Sequence, residues 1–260
     1  MKRLLIPYVF TVVIWVAPLS QLFFQWSRCE IFEKYVLCTN PSQLWFLWML
    51  FWVFVISQPL RRVFVYGNNL IGTLLAIFFY GIGIIGESFF SNIFCIWTGF
   101  QFIPFFYIGI RIRKNQEKEK NSIAGNKLWW CWIIVDIMLY LLYVYIDSIH
   151  MRSIAGKILN VGIAFILHIV GAVMAYKVFQ YIAEKVDWKN NRMFISLSLY
   201  SMPMYLFHQQ IIYFTIVLLN GKMIPWINAG VNFLVSLIVS YLISCILMKF
   251  KVTRLLVGEK

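Results

Sequence analysis

The sequence predicts an all-α, polytopic integral membrane protein with about eight transmembrane helices, and three observations carry that prediction. Apolar residues make up 62% of the 260 residues and charged residues only 13%, against roughly 25% charged in an ordinary soluble domain. The apolar residues come in blocks of about 20, the length a helix needs to cross a hydrocarbon core about 30 Å thick. No block alternates apolar and polar residues as a barrel strand would; LWFLWMLFWVFVI, residues 44–56, is apolar throughout. Lipid offers the backbone no hydrogen-bond partner, so such blocks must be helices.

The blocks place spans at 4–24, 44–60, 69–86, 92–110, 128–146, 158–182, 200–219 and 229–248. The first follows Lys2 and Arg3 as a cleavable signal peptide would. It is long for such a segment, contains Pro7 and Pro18, and lacks a small-residue cleavage pattern, so it reads as a retained span. Residues 1–260 then form one transmembrane domain with no visible internal repeat.

The net charge is +13, which in a soluble protein would suggest a nucleic-acid partner. In a membrane protein its distribution is topogenic, because Lys and Arg hold their loops in the cytoplasm, and no nucleic-acid partner is expected. With a cytoplasmic N-terminus, 18 of the 23 Lys and Arg residues fall on inside segments. Arg28, Lys34, Arg152, Lys157 and Lys222 are the five left outside. The expectation is a multi-pass protein of the cell (plasma) membrane, in contact with membrane lipids and with both termini cytoplasmic.

The solvated run RIRKNQEKEKNSIAGNK, residues 111–127, reads as a flexible cytoplasmic loop. Cys95, Cys131 and Cys245 lie in apolar blocks and read as packing residues. Cys29 and Cys38 share one outer loop, which leaves a bridge between them open.

Function in such a chain is sought where polar groups sit at bilayer depth, since each is costly unless paired or facing a cavity. Gln101, Asp136, His168 and His208 each fall nine to eleven residues from the outer end of a span, roughly 14–16 Å below the outer surface at 1.5 Å per residue. Asp136 and His168 lie on consecutive spans, so the sequence allows a His–Asp hydrogen bond locking that hairpin or a carboxylate that makes an imidazole a general base. Glu87, at an outer helix end, reads as a solvated rim residue. The run FISLSLYSMPMYLFHQQIIYF, residues 194–214, places Pro203 in what reads as a first turn, then His208, Gln209 and Gln210 in succession. Three adjacent polar side chains sweep about 200° of a helix, so one neighbour cannot hide them all and some should face a cavity. No metal-ligand spacing stands out, and no metal is expected.

The same run carries a resemblance. SLYSMPMYLFHQQII, residues 198–212, resembles the "Ser, aromatic, Tyr-Leu-(Phe/Leu)-His-(Gln/Pro)" signature near the C-terminus of the acyltransferase-3 family of bacterial membrane O-acyltransferases. KRLLIPY at 2–8, LWFLWMLF at 44–51, FIPFFYIGIRIRK at 102–114 and the tail KVTRLLVGEK are similar to other pieces of that family, in its order. The resemblance implies transfer of an acyl group, usually acetyl, from acyl-CoA (acetyl-CoA) as co-substrate to a hydroxyl of a cell-envelope glycan or polysaccharide. His208 matches the family's C-terminal histidine, and Gln209 beside it offers an amide donor for a developing oxyanion. Members have ten spans, and their first carries an Arg/His pair whose His is taken as the base; this chain starts at what resembles the third. The expectation is therefore an upstream start, a separate chain supplying the missing N-terminal helices, or a repurposed member, and an isolated chain that does not acylate at a useful rate unless His208, or the Asp136 and His168 pair, takes over as base. Asp136 and His168 match no family motif. The rival readings are a transporter or flippase-like protein for a lipid-linked sugar, or a non-catalytic subunit of an envelope assembly complex.

Overall fold

A computed structural model describes residues 2–119, 129–148, 154–185 and 190–259, and every regular element among them is helical. The main helices are α1 Arg3–Phe24, α2 Trp45–Ser57, α3 Asn69–Phe89, α4 Ile96–Glu119, α5 Trp129–Ser148, α6 Ile154–Lys185, α7 Arg192–Leu219, α8 Pro225–Leu247 and the short α9 Lys251–Leu256, with short helical turns at Arg28–Ile31, Phe32–Val36 and Arg62–Tyr66 between them. Among the described residues seven helices are long and apolar enough to cross a membrane: α1 and α3 to α8. The eighth expected span is shorter. With the turn that leads into it, α2 is the apolar helix Ser42–Ser57, about 24 Å of rise against a core of about 30 Å. Gln58 is its C-cap, still in the right-handed helical region, and Pro59 follows with no N–H to donate to the ladder.

Two other boundaries move for local reasons. α4 continues to Glu119, through the first half of the expected 111–127 loop; Arg, Lys, Gln and Glu are good helix formers and no Gly or Pro interrupts them. Residues 120–127 lie outside the described residues. α7 begins at Arg192, not at 200, so Pro203 sits inside the helix and leaves the Leu199 carbonyl without its usual donor. In α1 the chain takes one wide turn at Val12–Val16, where Ala17 N–H reaches back to the Val12 carbonyl just before Pro18.

The chain divides into two compact units, Met1–Arg111 with Ser196–Lys260, and Ile112–Ile195. In the first, α1 packs along α7 through the ring pairs Trp15–Phe207 (5.4 Å between centroids) and Phe23–Phe214 (5.3 Å). α8 presents Ser236, Ser240 and Ser244, all buried and four residues apart, a small-residue face of the kind that lets membrane helices approach closely. α3 presents Gly72, Ala76, Gly83 and Gly86 to α4 in the same way, and a Cβ on Gly86 would lie 2.2 Å from the Trp97 ring. After α9, Val257 is fully buried and Gly258 lies against the Arg3 carbonyl and Pro7, so both ends of this unit meet on one side. Gly258 has φ +90°, and a side chain there would stand 3.0 Å from the Arg3 carbonyl oxygen.

The linker between α1 and α2 is more than a surface loop. Gln25 closes α1 in the left-handed region, and Ser27 and Glu30 form a reciprocal capping box, with Ser27 N–H donating to Glu30 Oε2 at 2.7 Å and Glu30 N–H to Ser27 Oγ at 3.2 Å. The Ser27 backbone and hydroxyl hold the Glu30 carboxyl below its usual range, so the box is intact above the free carboxyl's pKa and loosens as pH falls through the lowered one. The chain then turns back along α1 and buries Ile31, Tyr35 and Cys38. Tyr8 Oη donates to the Tyr35 carbonyl at 2.6 Å, Cys38 Sγ lies 3.0 Å from Tyr8 Oη, and Phe94 N–H donates to the Leu37 carbonyl at 2.9 Å. Irregular backbone is tolerated at such depth because protein, not lipid, surrounds it.

Cys29 and Cys38 are both free thiols, the first exposed and the second buried. Burial pushes the Cys38 thiol up to about 11, and the thiolate is the reactive form. In detergent at pH 7.5 a maleimide is therefore expected to modify a variant retaining Cys29 alone and to leave one retaining Cys38 alone unmodified until unfolding. Equal rates would contradict the buried linker.

The second unit is built on the α5–α6 hairpin. Asn160 Nδ2 donates to Asp147 Oδ1 at 3.2 Å, and Gly171 on α6 makes room for Asp136 on α5.

Candidate functional site

The polar run of α7 divides its side chains between two neighbours, which is how three consecutive polar residues are accommodated on one apolar helix. Gln209 and Gln210 turn to the linker. Gln43 N–H donates to Gln209 Oε1 at 3.0 Å, Gln43 Nε2 donates to Gln210 Oε1 at 2.8 Å, and Gln209 Nε2 donates to the Tyr213 hydroxyl. Both ends of the Gln209 amide are thus engaged, one on the linker and one on its own helix. Tyr205, one turn earlier, donates its hydroxyl to the Gln43 carbonyl. Gln43 is itself buried, and its Oε1 has no donor among the described residues.

His208 turns the other way, to a cavity of about 370 Å³ between α7 and α8. Its Nδ1 lies 2.7 Å from the Tyr205 carbonyl. A carbonyl only accepts, so Nδ1 carries a proton, and in the neutral ring Nε2 keeps the lone pair. Nε2 has no partner among the described residues. The backbone carbonyl of His208 accepts from Ser236 Oγ at 3.2 Å, which joins α8 to α7 at the same level. An imidazole held in this tautomer by its own helix, with its basic nitrogen at a cavity, can take a proton from a hydroxyl brought within about 3 Å.

The other residues singled out from the sequence lie elsewhere. Gln101 Nε2 donates to Glu87 Oε2 at 2.6 Å, so this pair closes the α3–α4 hairpin near the end of α3. Asp136 lies against Gly171, whose Cβ position is 3.2 Å from Asp136 Oδ1, and that oxygen is buried without a donor among the described residues. No hydrogen bond joins Asp136 to His168, whose side chain is exposed. Among the described residues no three His, Cys, Asp or Glu side chains are grouped as a metal site would need.

Sequence reasoning missed Gln43 and Tyr205. Tyr205 stood inside the run and was only an aromatic among many; Gln43 precedes a span as any interfacial residue does, and nothing in PSQLW marks its partner 166 residues away.

Comparison with known proteins adds one match. The family model for an acyltransferase domain of the acyltransferase-3 type fits residues 1–249. No curated protein and no solved structure matches the chain. A match running from the first span through the last membrane helix, and including the α7 histidine run, shows that the chain belongs to the acyltransferase-3 family.

Proposed function

We propose that the protein transfers an acyl group, acetyl in the simplest case, from acyl-CoA to a hydroxyl of a cell-envelope glycan or polysaccharide, with His208 as the general base. Membership of the family supports acyl transfer in general. The observation that carries the site is the His208 tautomer, with Nδ1–H spent on the Tyr205 carbonyl and Nε2 free beside a cavity. Nε2 takes the proton of the acceptor hydroxyl, the alkoxide attacks the thioester carbonyl, and CoA leaves as the thiol after protonation. Gln43, Gln209 and Tyr205 act as positioning residues: they hold the segment of α7 from which His208 projects.

The proposed setting is the plasma membrane with both termini cytoplasmic, an orientation that the 18-to-5 distribution of Lys and Arg supports. In that orientation donor CoA approaches from inside and the acceptor from outside. The test is to delete the gene in its own host and return it on a plasmid. Envelope glycans should lose esters that mild alkali releases, and regain them with the wild-type gene. An unchanged ester content would contradict the proposal.

A further inference from the structure

Each hydroxyl hydrogen in the cavity between α7 and α8 is already placed. Ser201 Oγ donates to the Ser198 carbonyl at 2.8 Å, Ser236 Oγ to the His208 carbonyl at 3.2 Å, Ser240 Oγ to the Leu237 carbonyl at 3.2 Å, and Tyr205 to the Gln43 carbonyl. The rest of the wall is Leu197, Met204, Ile212, Phe233 and Leu237. The cavity therefore offers no spare donor, and what polar capacity it keeps is acceptor only, His208 Nε2 and the lone pairs of these hydroxyl oxygens. Its volume of about 370 Å³ has room for about a dozen water-sized groups, far more than a two-carbon acyl unit fills.

An occupant that suits these walls is a hydrocarbon chain with a polar atom at one end, and depth decides which kind. His208 lies 11 residues before the end of α7 at Leu219, about 16 Å inside the helix end. A bilayer lipid keeps its ester carbonyls at the interface, at the ends of a span, and so brings only methylene groups to this level. An acyl group in transfer brings its thioester carbon beside the hydroxyl that His208 Nε2 deprotonates, and its chain to the wall. We propose that the cavity between α7 and α8 is a subsite for the hydrocarbon chain of the acyl group, sized for chains well beyond acetyl, with the thioester carbonyl at His208. This rests on the reading of His208 as the transfer site and deepens it by naming the acyl class.

The test uses the full chain in membranes with two photoreactive probes, a decanoyl-CoA carrying a diazirine in its chain and a diazirine-bearing phosphatidylcholine. The decanoyl probe should label peptides spanning 197–212 and 233–240. Leu237→Trp, at a half-exposed position on the wall, should cut that labelling about tenfold, the factor expected when a ring excludes two methylene groups. Phe233→Ala, which widens the mouth, should keep it and so guards against a misfolded Trp variant. The phosphatidylcholine probe should label exposed α3 residues such as Leu74 and Ile77 and be indifferent to Leu237→Trp. Decanoyl labelling spread over lipid-facing helices, or unchanged by Leu237→Trp, overturns the subsite, and so does equal labelling of the cavity by phosphatidylcholine. Acetyl transfer without cavity labelling would sink the subsite and spare the function. Trp-sensitive cavity labelling in a protein that transfers no acyl group would do the reverse.

Discussion

His208→Ala is expected to lower acyl transfer at least about 100-fold, within the 10²–10⁴-fold range a positioned general base contributes, while the protein stays folded at its normal level in the membrane. Both halves of that expectation follow from geometry. Among the described residues the imidazole's one hydrogen bond runs to Tyr205 on the same helix, and its ring faces a cavity, so its removal opens no gap in the buried core around Leu206 and Phe207. The contacts that hold α7 to the linker come from Tyr205, Gln209 and Gln210 and remain. His208→Asn sharpens the test. Its amide can replace Nδ1–H toward the Tyr205 carbonyl but has no basic nitrogen, so it should be as inactive as alanine. Transfer by the Asn variant at the wild-type rate would remove the general base from the account, and loss of either variant from the membrane would make His208 a structural residue.

Gly86→Leu should be the most damaging single change to the fold, costing about 3 kcal/mol or more, the upper range for overpacking a tight contact. A Cβ at Gly86 would stand 2.2 and 2.3 Å from Trp97 ring carbons. Trp97 cannot swing away freely, because its ring sits between Phe90 and Phe100 and its Nε1 donates to the Ser91 carbonyl at 3.3 Å. Gly81→Leu is the control, since nothing lies within 4 Å of its Cβ position on the same helix. In thermal unfolding of the detergent-solubilised protein, Gly86→Leu should melt well below wild type and Gly81→Leu close to it. Equal melting would contradict the close packing of α3 on α4.

Most of the membrane architecture was legible because lipid permits few solutions. The span read at 4–24 is α1 within one residue, and 69–86 falls within α3. Two of the misreadings share a cause: polar residues were taken to end helices that continue past them. α7 runs back to Arg192 through SLS, where the Ser196 hydroxyl pairs with that of Tyr241 and the Ser198 carbonyl accepts from Ser201 Oγ, and α4 runs on to Glu119 through charged residues that solvate readily. α2 was read too long because its apolar residues continue past the Pro59 break.

The linker was the larger miss. SRCEIFEKYVLCTNPSQ looks like a solvated loop, yet it carries the Ser27 and Glu30 capping signature and an apolar side formed by Ile31, Tyr35 and Cys38. Its burial depends on Tyr8 and the α7 glutamines, partners too distant in sequence for any periodicity to reveal. Of the candidate site, the α7 run was legible as costly polar residues at membrane depth. The division of labour within it, with His208 on a cavity and both glutamines on Gln43, was not.

The central claim, acyl transfer at the α7 histidine, is tested most directly in inverted membrane vesicles from the native host, given an acyl-CoA radiolabelled in the acyl group. Vesicles with the wild-type protein should place label on glycan hydroxyls as an ester that mild alkali releases, and vesicles with His208→Ala should label at least about 100-fold more slowly. Equal ester labelling in the two, or in vesicles lacking the protein altogether, would contradict it.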